Sequence, residues 1–302
     1  YLYNIIMFSP SKISINGKIN SNDSSLFVSV FSPSFQFGLN VFEGIRIYKE
    51  GKKYNAFLID QHIERLITSA KLLYFDDLPN KDRIKKDILN LLDSSSINED
   101  IYLKYMFCFL DNGDWSRHDK PDRVCFFYPL KSTFRENTPR IISAGITNIE
   151  RINNKSMPPK IKCGANYINS RLGYLEVNKK NTNNTKKMPI FLDSLGYVTE
   201  SSGSCIFVIK DNIISTPKTQ FSILPSITRL FLLKILKENL NGYLIQETTI
   251  DRWELFNADS LFLVGTNIEL LFIKDLDHKI YNTSLKINQK IFEIFKNEVI
   301  NV

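Results

Sequence analysis

Apolar and polar positions along the chain follow two different periods, and the switches between them mark out the elements. Ser14 to Ile19 predicts a hairpin, because Asn16-Gly17 supplies the positive φ angles of a tight turn. Leu26 to Phe31 alternates apolar and small residues and predicts a strand. In Gln36 to Tyr48 two glycines bracket an aromatic and an acid, then Ile45 and Ile47 alternate with Arg46 and Tyr48. A strand carrying one buried-looking arginine either aims it at an anion or spends it on an edge salt bridge. Ala56 to Ile59 reads as a short strand. Asp60 then caps a helix whose inner stripe is Ile63, Leu66, Ile67, Ala70 and Leu73, with Arg65 beside it. Lys81 to Leu92 is a second amphipathic helix. Tyr102 to Phe109 and Val124 to Tyr128 are strands, joined by the polar loop Asp111 to Asp122.

Periodicity lapses near Pro129 and resumes with a strand at Ile141 to Ile146. A helix is expected over Asn166 to Val177, then a polar, low-complexity loop over Asn178 to Lys187. Strands follow at Pro189 to Asp193, Tyr197 to Thr199, Ile206 to Ile209 and Ile213-Ile214. Ser226 opens a helix to about Leu240, with Ile227, Leu230, Leu233, Ile235 and Leu236 as its apolar positions. Tyr243 to Glu247 reads as a strand and Arg252 to Phe256 as a short helix. Ser260 to Val264 is a strand ending at Gly265-Thr266-Asn267, and a hairpin around Asp275 to His278 precedes a last helix from Ser284 to about Val299. Strand clusters with interposed helices, in two halves, predict an α+β protein. The division expected is a small N-terminal domain over 1–130, a linker over 131–140 and a larger domain over 141–302. A long surface loop inside one domain is the alternative for the linker.

Composition narrows the picture only a little. With 302 residues, 43% of them hydrophobic, the chain can bury a sizeable core. The opening Tyr1 to Phe8 is too short and lacks the basic flank of a secretory or membrane segment, and Met7 could be the true start. Four scattered cysteines and three scattered histidines predict reduced thiols in a cytoplasmic protein and no metal site. The net charge of +7 comes from dispersed residues, which fits a lysine-rich codon bias better than a nucleic-acid surface.

The stretch that suggests chemistry is Lys162-Cys163-Gly164-Ala165-Asn166-Tyr167, between the turn at Pro158-Pro159 and a predicted helix. Small residues let a backbone approach a flat ring, and a tyrosine can hydrogen-bond the ring's oxygen. An enzyme using pyridoxal 5'-phosphate needs a lysine amine as Schiff-base partner and proton shuttle, and an acid facing the pyridine nitrogen. It also needs a helix N-terminus and an arginine for the phosphate. Lys162 is a candidate for the amine and Glu200, in an exposed turn, for the acid. The helix start at Ser226, with the N–H groups of Ile227 and Thr228, could hold the dianion together with Arg65. Gly265-Thr266-Asn267 would present further N–H groups to a carboxylate.

At these positions the chain resembles the branched-chain amino acid aminotransferases, pyridoxal phosphate enzymes of fold type IV. Phe42 to Tyr48 is similar to their F-E-G-I-R-x-Y, Asp60 to Leu66 to [DE]-x-H-x-x-R-L, and Lys162 to Tyr167 to K-x-G-[GA]-N-Y. Gly196 to Glu200 resembles G-[YF]-[VI]-x-E, Leu224 to Arg229 resembles L-P-G-[IV]-T-R, and Gly265-Thr266 resembles the start of G-T-[AS]-A. The resemblance implies a small N-terminal α/β domain, a larger domain with a barrel-like mixed sheet, and a homodimer or higher homo-oligomer with the site between the domains. It also implies reversible, ping-pong amino transfer from leucine, isoleucine or valine to 2-oxoglutarate. Lys162 would bond the cofactor covalently, Tyr167 its ring oxygen and Glu200 its ring nitrogen. Arg65, Ile227, Thr228 and Thr266 would hold the phosphate. Phe37, Phe42, Gly44, Arg46, Tyr102, Lys104, Thr266 and Asn267 would face the substrate.

The chain departs from the family at several of these places. Lys104 stands where bacterial members carry an arginine tied to glutamate's second carboxylate, so a fork becomes a point charge. Phe37 replaces a pocket tyrosine, and Gly203-Ser204-Cys205 replaces Gly-Glu-Asn. Other activities of the same fold (a D-amino acid aminotransferase or an aminodeoxychorismate lyase) and a non-catalytic binding protein are the competing readings.

Overall fold

The protein is described from a computed structural model that covers residues 12–21, 27–51, 53–95, 97–179, 185–220 and 222–300. The opening residues around Met7 and part of the Asn178 to Lys187 loop lie outside these. The chain forms two compact units. One takes in the described residues up to Lys131 and Ile161–Ala165, the other Ser132–Lys160 and the residues from Asn166 onward.

The first unit is a six-stranded antiparallel sheet with two long helices. Its elements are β1 (Lys12–Ile15), β2 (Lys18–Ser21), α1 (Pro33–Phe37), β3 (Val41–Glu50), β4 (Lys53–Ala56), α2 (Ile59–Leu72), α3 (Lys81–Asp93), β5 (Ile101–Cys108) and β6 (Asp122–Pro129). The strand order is β2-β1-β6-β5-β3-β4. Asn16 and Gly17, at φ 53° and 86°, make the expected turn between β1 and β2. Ile63, Leu66 and Ala70 of α2 and Ile84, Ile88 and Leu91 of α3 pack on Ile45, Ile47, Leu103 and Phe107 of the sheet. Each of the isoleucine, leucine and phenylalanine side chains among them contributes roughly 1.5–3 kcal/mol by leaving water.

Three local expectations are corrected here. Phe27 to Phe31 forms no strand: these residues run into a turn at Ser29 that leads to α1, and Phe27, Val28, Val30 and Phe31 are exposed. Their alternation therefore reports no buried face. The strand expected at Ala56 to Ile59 ends at Ala56. Asp60 is not the cap of α2. The backbone turns left-handed at Leu58, which takes the cap position, so the helix starts two residues earlier than expected, and Asp60 in its first turn pairs with Lys85 at 2.6 Å.

The second unit is built on a closed ring of strands. Its elements are a short 3-10 turn (Thr133–Glu136), β7 (Arg140–Ile146), α4 (Tyr167–Asn178), β8 (Lys187–Leu192), β9 (Val198–Ser201), β10 (Ser204–Lys210), β11 (Ile213–Pro217), α5 (Ile227–Asn239), β12 (Leu244–Thr248), α6 (Arg252–Asn257), β13 (Ser260–Gly265), β14 (Glu269–Leu276), β15 (Lys279–Ile280) and α7 (Lys286–Ile300). The order is β12-β11-β10-β13-β14-β7-β8-β9, and β9 pairs back onto β10, so six strands close on themselves. β14 with β7, β7 with β8 and β11 with β12 run parallel, which makes the sheet mixed. The stretch 131–140 carries the 3-10 turn, whose buried Phe134 packs against Phe292 and Phe295 of α7.

The inner stripe of α5 differs from expectation. Leu230 faces solvent, and Leu232 and Arg229 are buried instead. Arg229 can be buried because β11 and β12 supply acceptors: Thr216 Oγ1 at 3.2 Å, the Pro217 carbonyl, and the Glu247 carboxylate. Among the described residues, no helix is long and apolar enough to cross a membrane, and no group of His, Cys, Asp and Glu could hold a metal ion.

Candidate active site

In the first unit the main chain around Lys162 is stitched to β3 and α2. The Phe42 amide donates to the Lys162 carbonyl at 3.0 Å, and the Lys162 amide donates to Ser69 Oγ at 3.1 Å. Cys163 bridges to Val41, and the Gly164 amide donates to Asn40 Oδ1 at 3.2 Å. The side chain of Lys162 then lies with Nζ 4.9 Å from the centroid of the Phe42 ring. Lys104, on β5, places its own Nζ 4.3 Å from the same ring. Cation–ring contacts of this kind favour a charged amine over an aromatic face.

Lys104 is partly buried, and among the described residues its ammonium has no hydrogen-bond or ion-pair partner. Burial, then the charge of Lys162, lowers its pKa below the ordinary 10.5. A cation in that setting can take an anion as its partner.

Beside these lysines sits a buried cluster of three groups. Arg65 of α2 donates from Nε to Glu43 Oε1 at 2.6 Å and from a terminal nitrogen to Oε2 at 2.8 Å. His62, one turn earlier on α2, has Nδ1 2.8 Å from the same Oε2. Burial pulls the Glu43 carboxyl upward, but the Arg65 charge and hydrogen bonds, with the His62 bond, outweigh it and hold the group at about 2. Burial keeps the His62 imidazole below its ordinary value, against the pull of Glu43, and the charges of Arg65 and Lys162 lower it further. The cluster is therefore an ionised carboxylate between a guanidinium and a neutral imidazole whose Nδ1–H donates.

Gly44 shows why this strand carries a glycine. A Cβ there would lie 1.6 Å from Tyr102 Oη, so the tyrosine ring crosses directly over the strand. Tyr102 also contacts Tyr128, with ring centroids 5.3 Å apart. Arg46 is fully buried and donates to the Leu130 carbonyl. Phe42 is buried, whereas Phe37, at the end of α1, is half-exposed.

In the second unit Glu200 does not sit in an exposed turn as expected: β9 runs on through Ser201, so the carboxylate is buried within the strand and gripped from one side. Arg151 donates to its Oε1 from Nε at 2.9 Å and from a terminal nitrogen at 2.7 Å. The Leu224 amide lies 3.3 Å from both carboxylate oxygens. Arg151 is held in turn by Asn169 Oδ1 at 2.8 Å. The turn from β9 to β10 needs Gly203, at φ 73°, and the Gly203 carbonyl lies so close to Gly265 that a Cβ on Gly265 would meet it at 2.9 Å. A Cβ on Gly203 would come 4.0 Å from Tyr167 Oη, at the start of α4. The hydroxyls of Ser201 and Ser204 are buried and have no hydrogen-bond partner among the described residues.

Ser226 caps α5 as expected, its Oγ accepting the Arg229 amide at 3.2 Å. Ile227 and Thr228 are the first two residues of that helix, and the leading amides of a helix have no intrahelical acceptor. Thr228 Oγ1 stands 3.4 Å from Thr266 Oγ1, in the turn after β13, and Asn267 beside it is exposed. Two hydroxyls at a helix N-terminus suit an anionic ester, and a fixed carboxylate suits a protonated ring nitrogen. This donor set fits pyridoxal 5'-phosphate.

Three contributors escaped the sequence. Arg151 sits in an aperiodic stretch and has no local mark. Glu43 and His62 lie within segments already singled out, and His62 precedes Arg65 by three residues, a spacing that puts both on one helical face. That spacing was the available signal.

The signature described as Amino-transferase class IV matches residues 40–276, and the chain belongs to that family. It is a pyridoxal 5'-phosphate-dependent aminotransferase. It is 31% identical over 292 residues to a putative branched-chain-amino-acid aminotransferase of Methanocaldococcus jannaschii, covering 95% of this chain and 96% of the relative. Among solved structures it is similar to the branched-chain aminotransferase of Thermoproteus uzoniensis with norvaline (TM-score 0.87, 26% identity, 97% of this chain and 95% of the other). It is also similar to the holo-form of the enzyme from Thermobaculum terrenum (TM-score 0.86, 26% identity, 96% and 94%).

Proposed function

We propose that this aminotransferase moves amino groups between leucine, isoleucine or valine and 2-oxoglutarate in two ping-pong half-reactions. The observation that carries the substrate class is likeness along nearly the whole chain to a relative described as a branched-chain enzyme. The apolar face of Phe42 beside Lys162 supports it, since a pocket of that kind favours an aliphatic side chain.

Bound pyridoxal phosphate supplies an electron sink for the substrate's α-carbon. In this reading Lys162 would be the amine that holds the cofactor and would carry the proton to and from that carbon. Tyr167 donates to the ring oxygen, and Glu200 keeps the ring nitrogen protonated. Arg65, the amides of Ile227 and Thr228, and the hydroxyls of Thr228 and Thr266 hold the phosphate. Thr266, Asn267 and Tyr102 receive the α-carboxylate, while Phe37, Phe42, Gly44 and Arg46 line the side-chain pocket. Lys104 receives the second carboxylate of glutamate or 2-oxoglutarate.

Transamination of 4-methyl-2-oxopentanoate with glutamate as donor tests the reading. Activity on D-alanine with none on L-valine would instead assign a D-amino acid enzyme. We further read the protein as a homodimer, supported by exposed Phe27, Phe31 and Phe35 in one unit and Ile168 and Leu172 in the other, and testable by light scattering. Four free, buried cysteines support the reducing cytoplasm as its compartment.

Lys104 makes a pH prediction. Its lowered pKa means that its charge is lost earlier on the alkaline side than an ordinary lysine's. The facing charge is that of Lys162. Between pH 7 and 10, kcat/KM for glutamate is expected to fall sooner than kcat/KM for leucine, and Lys104→Arg should abolish the difference. A shared alkaline limb for both substrates would remove Lys104 from dicarboxylate recognition.

A further inference from the structure

We propose that Glu43 and His62 are positioning residues for the phosphate of the cofactor, acting by locking the guanidinium of Arg65 in one orientation; this rests on the reading of Arg65 as a phosphate ligand. None of the motifs assigns them that work. A free arginine side chain has several rotamers to lose when it binds an anion, and that loss weakens binding. Here that loss is met on folding. Glu43 occupies Nε and one terminal nitrogen of Arg65, a two-point grip that fixes the plane of the group as well as its position. His62 bonds the carboxylate oxygen shared with that terminal nitrogen, which stops the carboxylate from rotating. Glu43 and His62 are both 1% exposed, so water does not compete for these bonds.

The arrangement has a cost that makes the proposal decidable. A carboxylate beside a phosphate site repels the phosphate. If Glu43 served only to balance the charge of Arg65, its removal would tighten phosphate binding. If it positions Arg65, removal loosens binding despite the more favourable net charge. The two roles predict opposite signs for Glu43→Gln, which keeps the shape and deletes the charge.

The experiment titrates the full-length protein, stripped of cofactor, with pyridoxal 5'-phosphate and separately with pyridoxal, and follows absorbance. Expected for Glu43→Gln is a rise in the dissociation constant for pyridoxal 5'-phosphate of about tenfold or more, the range seen when supporting partners of a ligating group are removed elsewhere. Pyridoxal, which lacks the phosphate, should bind as to the unmodified protein. His62→Phe should give the same phosphate-specific loss with no change of charge, and His62→Asn, which can donate from a similar position, should restore most of it. These two variants decide the matter if Glu43→Gln fails to fold. Tighter phosphate binding in Glu43→Gln, equal losses for both ligands, or an unchanged preference in His62→Phe would overturn the proposal. An unmodified protein that does not distinguish the two ligands would instead sink the assignment of Arg65 to the phosphate.

Discussion

Lys162→Ala is expected to lose amino transfer by a factor of about 10³ or more while the protein stays folded. The magnitude is that of removing a positioned general base that also holds the reactive group covalently. The fold should survive because the main chain at residue 162 does the structural work. Its amide reaches Ser69 and its carbonyl accepts from Phe42, bonds that alanine makes equally well. Phe42 keeps the Lys104 cation over its ring, so that ring retains a packed neighbour. The cofactor should still bind through its phosphate and ring contacts but wash out on dialysis, and the visible band that comes with the covalent link should vanish. Absorbance, a thermal melt and a leucine assay on one preparation check all three. Activity within tenfold of the unmodified enzyme would remove Lys162 from the chemistry.

How far this site could be read from the sequence follows from how local each signal is. Lys162 stood out because three small residues and an amide precede an aromatic hydroxyl. Glu200 stood out because an acid ends a strand at a Ser-Ser-Gly turn. The cap at Ser226 follows from Pro225 and the apolar run behind it. These marks are confined to a few neighbouring residues. What grips Glu200 is Arg151, 49 residues away in sequence, and no local period records such a pairing. Glu43 and Arg65 lie 22 residues apart on a strand and a helix, and their bond exists only because α2 packs on β3. The misread elements have a related cause. Phe27 to Phe31 alternates like a strand but turns at Ser29 with its large side chains exposed. Leu58 takes a left-handed turn that no residue preference announces. Leu230 yields its inner place to Arg229 because acceptors on two distant strands meet a buried guanidinium. In each case a tertiary partner overrode a local preference.

The second large effect is expected at Glu200. Glu200→Gln should lower kcat/KM for leucine by about 10² to 10³, the usual loss when one fixed charge facing a developing charge is removed from a dry site. Glutamine keeps the volume but carries no negative charge, so nothing would hold the ring nitrogen protonated. The same change leaves Arg151, nearly buried, without its counter-charge. Breaking one partner of a buried pair costs roughly 3–5 kcal/mol, so thermal stability should fall as well. The two consequences can be separated. Arg151→Lys keeps a positive charge near Glu200 but loses the two-point fork. It should destabilise the protein and slow the reaction only to the extent that Glu200 swings away from the ring. Single-turnover rates of the leucine half-reaction, measured on cofactor-loaded protein well below each variant's melting temperature, read the chemical loss alone. A Glu200→Gln variant that melts earlier but reacts within about threefold of the unmodified enzyme would make Glu200 a partner for Arg151 in the fold and nothing more. A variant that reacts slowly and binds the cofactor in an altered protonation state, visible as a shifted absorbance maximum, would place the carboxylate opposite the ring nitrogen, where the grip of Arg151 and the Leu224 amide has the reason to aim it.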